Sequence, residues 1–534
     1  MLPEDKYFQT LTQDELWQRY CGFLDLSIDE FMQIQKELLM DEIEQVADSW
    51  LGKKIMNNLK PKSVEEFRRM VPLTTYNDYE PYLSERQENA LAGKPYLWCH
   101  SAGRRGRFKW IPHSYEIVEK TVRSYLACCI LASCSKKGEI NIAPGFRLLT
   151  VLPPPPYTSG SIVLSFFQHF STRVMPPLDG METVEFRERM KNGFQIALQD
   201  GVDIIGTLAS ILVRMGEEFS QQTRSIKFSL SMLHTKMIFR LLRAWLYSKW
   251  EKRAMLPKDL WRPKGILMGG LDTSIYKDDV AHYWGSIPYE LYAGTEALIY
   301  AMQSWNKTGM VFLHDMVFLE FIPYEELLKL QDDKHYQPST VLLNEVEEGK
   351  LYEVVITHFY GMPLLRYRLN DIIRVIATKD EETGINLPQI VFQRRGDEVI
   401  NLAALAHLDE KTLWQAIANS GIKYTDWAAC KEYDRNQSFL RLYFELKEEK
   451  EAAEVETVID EQLKTVDMDY KDIASYLGLQ PVRVTLLSPG TFQRYTEEKQ
   501  KEGANLDHLR PPHINPQEAV VRHLLQLSAI GNKK

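Results

Sequence analysis

Two β-leaning runs place the tightest constraint on how this chain can fold. Leu351–His358 and a second run beginning at Leu364 are separated only by a short segment containing Gly361, Met362 and Pro363. Runs so close together, with turn residues between them, read as a hairpin-like pair. The second run carries Leu364, Leu365, Arg366, Tyr367, Arg368, Leu369, Asn370 and Asp371, and Asp371 stands just before Ile372, Ile373, Arg374 and Val375. A carboxylate at the end of a strand can accept hydrogen bonds from two vicinal hydroxyls, as in many ribose sites. Taken alone, the window reads as an ordinary turn.

The chain has 534 residues, 44% of them hydrophobic, more than one core usually organises, so two or more structural units are expected. A net charge of -9 with 26% charged residues gives no general affinity for nucleic acid or for an anionic membrane, so any basic site must be local. The six cysteines (Cys21, Cys99, Cys128, Cys129, Cys134 and Cys430) are scattered, without a Cys-x-x-Cys unit or histidines at metal-ligand spacing. Neither zinc nor a disulfide framework is suggested. The first residues lack a basic segment followed by an apolar one, and the apolar run 125–134 is too short to span a bilayer, so a cytoplasmic location is expected.

Residues 1–95 read as a helical preface. Ser27 with Glu30, and Ser63 with Glu66, have the spacing of helix N-caps, and Pro72 follows the second helix. Residues 100–112 (His100, Ser101, Ala102, Gly103, Arg104, Arg105, Gly106, Arg107, Phe108, Lys109, Trp110, Ile111, Pro112) follow a short extended run and precede a helix expected over 115–133. Four cations stand within six positions there, and guanidinium groups suit phosphate oxygens. Residues 146–152 predict a strand halted by the four prolines at 153–156. The stretches 202–212 and 232–250 read as buried or amphipathic helices that could line an apolar pocket. Lys264 to Gly270 reads as a buried strand running into the glycine pair Gly269 and Gly270, where a ligand can approach backbone.

Three further windows follow in fixed order: Tyr292, Ala293, Gly294, Thr295 and Glu296; then Tyr367 to Asp371; then Arg395, Gly396, Asp397, Glu398, Val399, Ile400 and Asn401. Beyond residue 399 the chain turns more charged, with strands expected at 439–447 and 481–487 around an acidic helix at 448–466. Together with residues 100–112, the series resembles the adenylate-forming acyl-activating superfamily. Within it, the likeness is to the Gretchen Hagen auxin-responsive family of acyl acid amido synthetases, over nearly the whole chain.

That resemblance implies an α/β fold, with a large N-terminal adenylate-forming domain (β/α subdomains plus a small β-barrel) over residues 1–396. A smaller, mobile α+β C-terminal domain would cover 397–534, hinged near Asp397. It implies ATP and Mg²⁺ as cofactors. Ser101, Arg104, Arg105, Gly106, Arg107 and Lys109 would hold phosphates, with Gly269 and Gly270 close by. Tyr292 would pack on adenine beside Ala293 and Gly294, Thr295 would contact phosphate, Glu296 would bind the metal, Tyr367 and Asp371 would serve the nucleoside, and Arg395 would reach ribose or phosphate. Lys109, Glu296 and Arg510 are the catalytic candidates. The sequence departs from the family where His100, Ala102, Gly103 and Arg104 replace Ser, Gly, Thr and Thr, where Asn370 replaces Gly, and where Arg510 replaces a lysine.

The implied reaction is ATP-dependent activation of a carboxylic acid as its acyl-adenylate, then amide formation with an amine or amino acid. The partners would be these small molecules, without nucleic acid or membrane; the oligomeric state is left open. Two alternatives stay open: an acyl-CoA ligase, against which the glycine-free segment 402–408 speaks, and a non-catalytic nucleotide-binding relative with a decayed phosphate loop.

Overall fold

A computed structural model describes the chain except for residues 1, 102–108, 151, 153, 178–185, 224–234, 270–272, 333–335, 396–398, 403–405, 435–436, 468–469, 472–480, 503–508 and 532–534. It divides into two compact units, Met1–Gln393 and Arg394–Lys534.

In the first unit β1 (Leu97–Ser101) and β2 (Lys109–His113) form an antiparallel hairpin. Eleven strands make the main sheet: β3 (Phe146–Thr150), β4 (Thr172–Met175), β5 (Ile204–Leu208), β6 (Gly265–Gly269), β7 (Tyr289–Gly294), β8 (Leu298–Gln303), β9 (Met310–Phe312), β10 (Val317–Pro323), β11 (Leu351–His358), β12 (Tyr367–Ala377) and β13 (Gln389–Arg395). Their order is β10-β11-β12-β13-β9-β8-β7-β6-β5-β3-β4. From β4 to β7 the sheet is parallel, and the pairings observed beyond β7 are antiparallel. The strands that follow the parallel half thus continue the same sheet.

A parallel half must be covered on both faces, because its crossover connections lie on them. Successive side chains of a strand point to opposite faces. Leu148, Ile204 and Leu267 accordingly enter one core while Leu149, Ile205, Ile266 and Met268 enter another. Burying each such side chain contributes about 1.5–3 kcal/mol. The first core includes the helix Tyr115–Ser133, whose bounds match the sequence expectation. Stretch 202–212, expected to be helical, instead supplies β5 and only then enters the helix Ala209–Thr223. Apolar residues at 204 and 205 suit a strand buried on both faces, and such a short run has the same composition as a buried helix.

The helical preface closes an edge. Ser27 and Glu30 form a capping box on the helix Ile28–Val46. From that helix Gln35 donates Nε2–H to Val317 O (2.8 Å) and accepts from Leu319 N–H (2.9 Å). These contacts satisfy backbone groups of β10, the edge strand, which would otherwise invite pairing with another chain.

Strand β12 begins in a buried charge network. Arg366 donates to both oxygens of Glu320 (3.0 and 2.8 Å) and to Val71 O (2.7 Å), while Thr340 Oγ1 donates to Glu320 (2.7 Å). Arg366 holds a left-handed backbone, φ +46°. A bidentate guanidinium with every nearby acceptor engaged satisfies an otherwise costly buried carboxylate. Arg366→Met should therefore destabilise the chain by about 3–5 kcal/mol, because buried Glu320 would lose its bidentate partner and keep only the Arg68 cation, 3.6 Å away. Chemical denaturation of the variant checks this.

The second unit holds the hairpin β14 (Val399–Leu402) and β15 (Ala406–Asp409), and a sheet of β16 (Tyr424–Asp434), β17 (Gln437–Leu446) and β18 (Val482–Leu487). β16 runs antiparallel to β17, and β17 parallel to β18. The helix Ala452–Val466 connects β17 to β18 in sequence and packs on the latter. Strand β16 was not foreseen from the sequence.

Near its end the chain is tied back by His513. Its ring stacks on Trp427 (4.4 Å, 11°), Nε2 lies 2.8 Å from Asp426 Oδ1, and Nδ1 bonds Glu410. Burial opposes its charge, yet the bonds to Asp426 and Glu410 prevail and push its pKa up to about 10. A raised folded-state pKa contributes stability that is full below the unfolded value of 6.5 and lost as pH rises through about 10. Thermal stability of this unit should fall across that window, and His513→Leu should flatten the fall. Melts of wild type and variant across the window check it.

Candidate active site

The carboxyl ends of the parallel strands form the edge where open α/β sheets bind ligands. The strand order reverses between β3 and β5, since β4 lies on one side of β3 and β5 on the other. Thr150 ends β3 with Oγ1 buried and without a hydrogen-bond partner among the described residues. Gly269 ends β6, and a Cβ built there would meet nothing within 4 Å among the described residues. Among those residues, then, no neighbour requires the glycine. Gly294, which ends β7, differs: a Cβ there would come within 2.9 Å of the Tyr300 ring.

Past β7 the chain turns through Thr295 and Glu296, and two histidines from distant strands grip this turn. His113, ending β2, lies 2.9 Å from Thr295 O through Nε2, and His358, ending β11, bonds Glu296 O through Nε2. A carbonyl only accepts, so each Nε2 carries the proton. Burial, with His358 nearby, pushes the His113 pKa down to about 3, and burial pushes that of His358 down to about 4. Both rings are neutral donors at ordinary pH. Thr295 Oγ1 pairs with Thr158 Oγ1 at 2.7 Å, and the Glu296 carboxylate, half-buried, lies 3.4 Å from the Tyr300 hydroxyl.

Lys109 stands over Tyr76. Lys109 Nζ stands 5.6 Å from the Tyr76 ring centre, and the Tyr76 hydroxyl accepts from Trp110 N–H at 2.9 Å. Burial pushes the Tyr76 phenol up to about 12, and the charges of Glu80 and Glu296 add to the rise. Lys109 thus stands over a ring whose phenol also feels the charge of Glu296, from a window almost two hundred residues away in sequence.

Tyr292 and Asp371 also come together. Tyr292 donates its hydroxyl to Asp371 Oδ2 at 2.7 Å, and its ring packs between Tyr300 (4.6 Å) and Phe392 (5.9 Å). Both residues are buried. Asp371 was expected at the end of a strand; instead β12 runs through it to Ala377. A register shift opposite, between Glu353 and Val355, together with Asn370 at φ +61°, makes an irregularity there. Such bulges re-aim a side chain without ending the strand. Asparagine tolerates that backbone better than most residues.

Other residues of the expected windows have contacts within the protein or lie apart from these groups. Tyr367 is buried in the core, 6.2 Å from the Tyr79 ring, and Arg368 is paired in bidentate fashion with buried Glu353 (2.9 and 2.6 Å). His100 sits edge-on to Trp110 and Tyr157, so it fills space between aromatic rings. Ser101 closes β1 opposite Lys109 in register. Ala293 is exposed on β7. Arg104, Arg105, Gly106, Arg107, Gly270 and Asp397 lie outside the described residues, and Arg395 ends β13. In the second unit Arg510 is exposed, and its charge helps to hold Asp426 ionised. The sequence reading missed His113, His358, Tyr76, Thr158 and Tyr300. The sole hint was position, since the two histidines end extended runs that border the recognised windows.

Residues 22–150 match the GH3 family N-terminal domain, 310–395 its central domain and 410–519 its C-terminal domain. The jasmonoyl-L-amino acid synthetase GH3.5 of Oryza sativa subsp. japonica is 21% identical, covering 86% of this chain and 88% of its own. The jasmonoyl-L-amino acid synthetase JAR4 of Nicotiana attenuata is also 21% identical, with 93% of each covered. Among solved structures, the GH3.15 acyl acid amido synthetase in complex with 2,4-DB superposes with a TM-score of 0.66 at 18% identity, over 97% of each chain. A 2-hydroxyisobutyryl-CoA ligase in the postadenylation state gives 0.58 at 13% identity, over 94% of this chain and 92% of its own. The fold is thus that of two-domain adenylate-forming enzymes, and with three family domains matched in order over more than half of its length, the chain belongs to the GH3 family.

Proposed function

We propose that this protein activates a carboxylic acid with ATP as an acyl-adenylate and then joins the acyl group to an amine or amino acid. The observation that carries the reading is the turn bearing Thr295 and Glu296, held through its carbonyls by His113 and His358, with Lys109 on the strand that ends in His113. Membership of a family whose named relatives are amido synthetases supports it.

In the first step an acid oxygen attacks the α-phosphate and pyrophosphate leaves. The chain's task is then positional and electrostatic. Lys109, with Arg104, Arg105 and Arg107, would offset charge on the departing phosphates. Beside them Ser101, Gly106, Gly269 and Gly270 would let phosphates approach the backbone. Asp371 and Arg395 would take the ribose, with Tyr292 holding the Asp371 carboxylate and its neighbours Ala293, Gly294 and Tyr367 framing the nucleoside. Glu296 fits Mg²⁺: it is a half-buried carboxylate on a turn fixed through its carbonyls, and Mg²⁺ takes one or two carboxylates plus phosphate oxygens. Bound there, the ion would neutralise phosphate charge. Thr295, already paired with Thr158, would present its hydroxyl to phosphate.

Arg510 would bring positive charge near phosphate, and Asp397, a few residues past the boundary between the two units, would be the pivot for the second step. The protein would act in the cytoplasm; no helix among the described residues is long and apolar enough to cross a membrane. The 2-hydroxyisobutyryl-CoA ligase likeness keeps one choice for experiment, amine or CoA as acceptor.

Acid-dependent pyrophosphate release with a panel of acids, followed by product analysis with amino acids and with CoA, tests the reading. Amide products are expected; thioester products alone would move the chain to the CoA ligases, and no pyrophosphate with any acid would make it a non-catalytic relative. Lys109→Ala and Glu296→Ala should each slow release on the order of 100-fold. Asp371→Ala should weaken ATP binding by about 1.5–3 kcal/mol, read by calorimetry. His358→Phe should lower kcat and raise the Mg²⁺ requirement while leaving the KM for the acid unchanged, since that ring's hydrogen bond is to the turn, at Glu296 O.

A further inference from the structure

The helix Thr235–Trp250 is apolar on two opposite faces. Met237, Ala244 and Ser248 face inward, in or beside the core between this helix, the main sheet and its neighbouring helices. Ile238, Phe239, Leu242, Trp245, Leu246 and Trp250 face outward. Seven of the fourteen large apolar side chains that are exposed among the described residues lie on this one helix of sixteen residues. Phe239 is 71% exposed and Trp250 78%. Single exposed apolar residues need no explanation, whereas a contiguous stripe marks an interaction surface.

Charge identifies what the stripe fits. The helix carries Lys236, Arg240, Arg243 and Lys249 and no acidic residue. Arg240 is turned to the carbonyls of Ala197 and Leu198, but Arg243 and Lys249 are exposed, as is Lys252 just beyond the helix. The nearby acids Glu251 and Asp259 are both paired with Arg253, so they do not cancel these cations. Lys249 Nζ lies 6.0 Å from the Trp245 ring, a cation beside an interfacial aromatic. Tryptophan and tyrosine favour the boundary between lipid and water, and exposed lysine and arginine beside them favour anionic headgroups. A second copy of the chain is a poorer match, because a two-fold contact through this helix would oppose two acid-free cationic surfaces.

We propose that the outer face of Thr235–Trp250 is a peripheral attachment site for an anionic lipid surface, with the apolar stripe entering the headgroup boundary and Arg243, Lys249 and Lys252 meeting the headgroups. The helix would lie on the surface rather than cross it. This attachment is independent of the ligase reaction proposed above.

Co-sedimentation of the full chain with vesicles tests it. Vesicles of phosphatidylglycerol mixed with phosphatidylcholine should bind the protein, while phosphatidylcholine alone should bind it far less, and added salt should weaken binding. Replacing Phe239→Ser, Leu246→Ser and Trp250→Ser together should lower partitioning by about tenfold or more. Arg243→Gln with Lys249→Gln should cost about fivefold per cation. All these side chains are exposed, and an unchanged melting temperature in both variants shows that the fold persists. Equal partitioning of wild type and the triple variant would overturn the proposal, as would no binding to anionic vesicles. A wild-type dimer that the triple variant converts to monomer would overturn it in favour of self-association.

Discussion

Two neutral imidazoles holding consecutive carbonyls set the geometry on which the candidate site depends. Thr295 and Glu296 lie on a turn between β7 and β8, and such a segment has no ladder to fix its backbone. His113 and His358 supply that constraint from outside, one from the hairpin next to Lys109 and the other from the strand preceding the Asp371 segment. Burial keeps both uncharged, so the grip does not loosen across ordinary pH, and it places no positive charge beside the carboxylate that would bind a cation. A charged lysine or arginine could hold the same carbonyls but would compete with Mg²⁺ for Glu296.

The second constraint is the irregularity at Asn370. In an uninterrupted β12, side chains would alternate strictly between faces. The left-handed residue and the register shift re-aim Asp371 to meet Tyr292 from β7, two strands that are not neighbours in the sheet. The cost of that backbone falls where the strand is otherwise tightly held, by Arg366 on Glu320 before it and Arg368 on Glu353 beside it. Strain is tolerated where surrounding interactions over-determine the fold. Arg366 and Arg368 thus serve the site without touching a ligand.

Local chemistry explains what the sequence disclosed and what it hid. The caps at Ser27 and Ser63, the helix Tyr115–Ser133 and the hairpin pair β11 and β12 rest on signals within a few residues, and these were legible. So was the tolerance of Asn370 for a left-handed backbone. Strand β5 was taken for helix because a short apolar run has no distinguishing period. The outward face of Thr235–Trp250 was taken for core or pocket lining because composition cannot say which side of an apolar helix meets the protein. The order of the motif windows was visible, but the residues that tie them together were not. His113, His358 and Tyr76 act through pairings across long stretches of chain, and nothing in their own neighbourhoods marks them. Tyr367 and Arg368 show the opposite case, since the recognised window contains residues whose observed partners are core and a buried carboxylate.

Charge reveals why a whole-chain value says so little about binding. The protein is acidic overall, yet residues 100–113 and the helix Thr235–Trp250 each contain four Lys or Arg and no acid. Screening confines the field of exposed charges to about 8–10 Å at physiological salt, so each stretch acts on what lies beside it rather than on the molecule's average. The first has Lys109 over Tyr76, where the proposed negative partner is a polyphosphate. The second has its cations among exposed aromatic rings, where the matching surface must be both anionic and apolar. Identical charges therefore select different partners because their surroundings differ: hydrogen-bonding backbone and a tyrosine phenol in one case, tryptophan and leucine in the other. The net charge of -9 keeps the rest of the surface from competing for either anion, since acidic surroundings repel phosphate that is not held by a cation at close range.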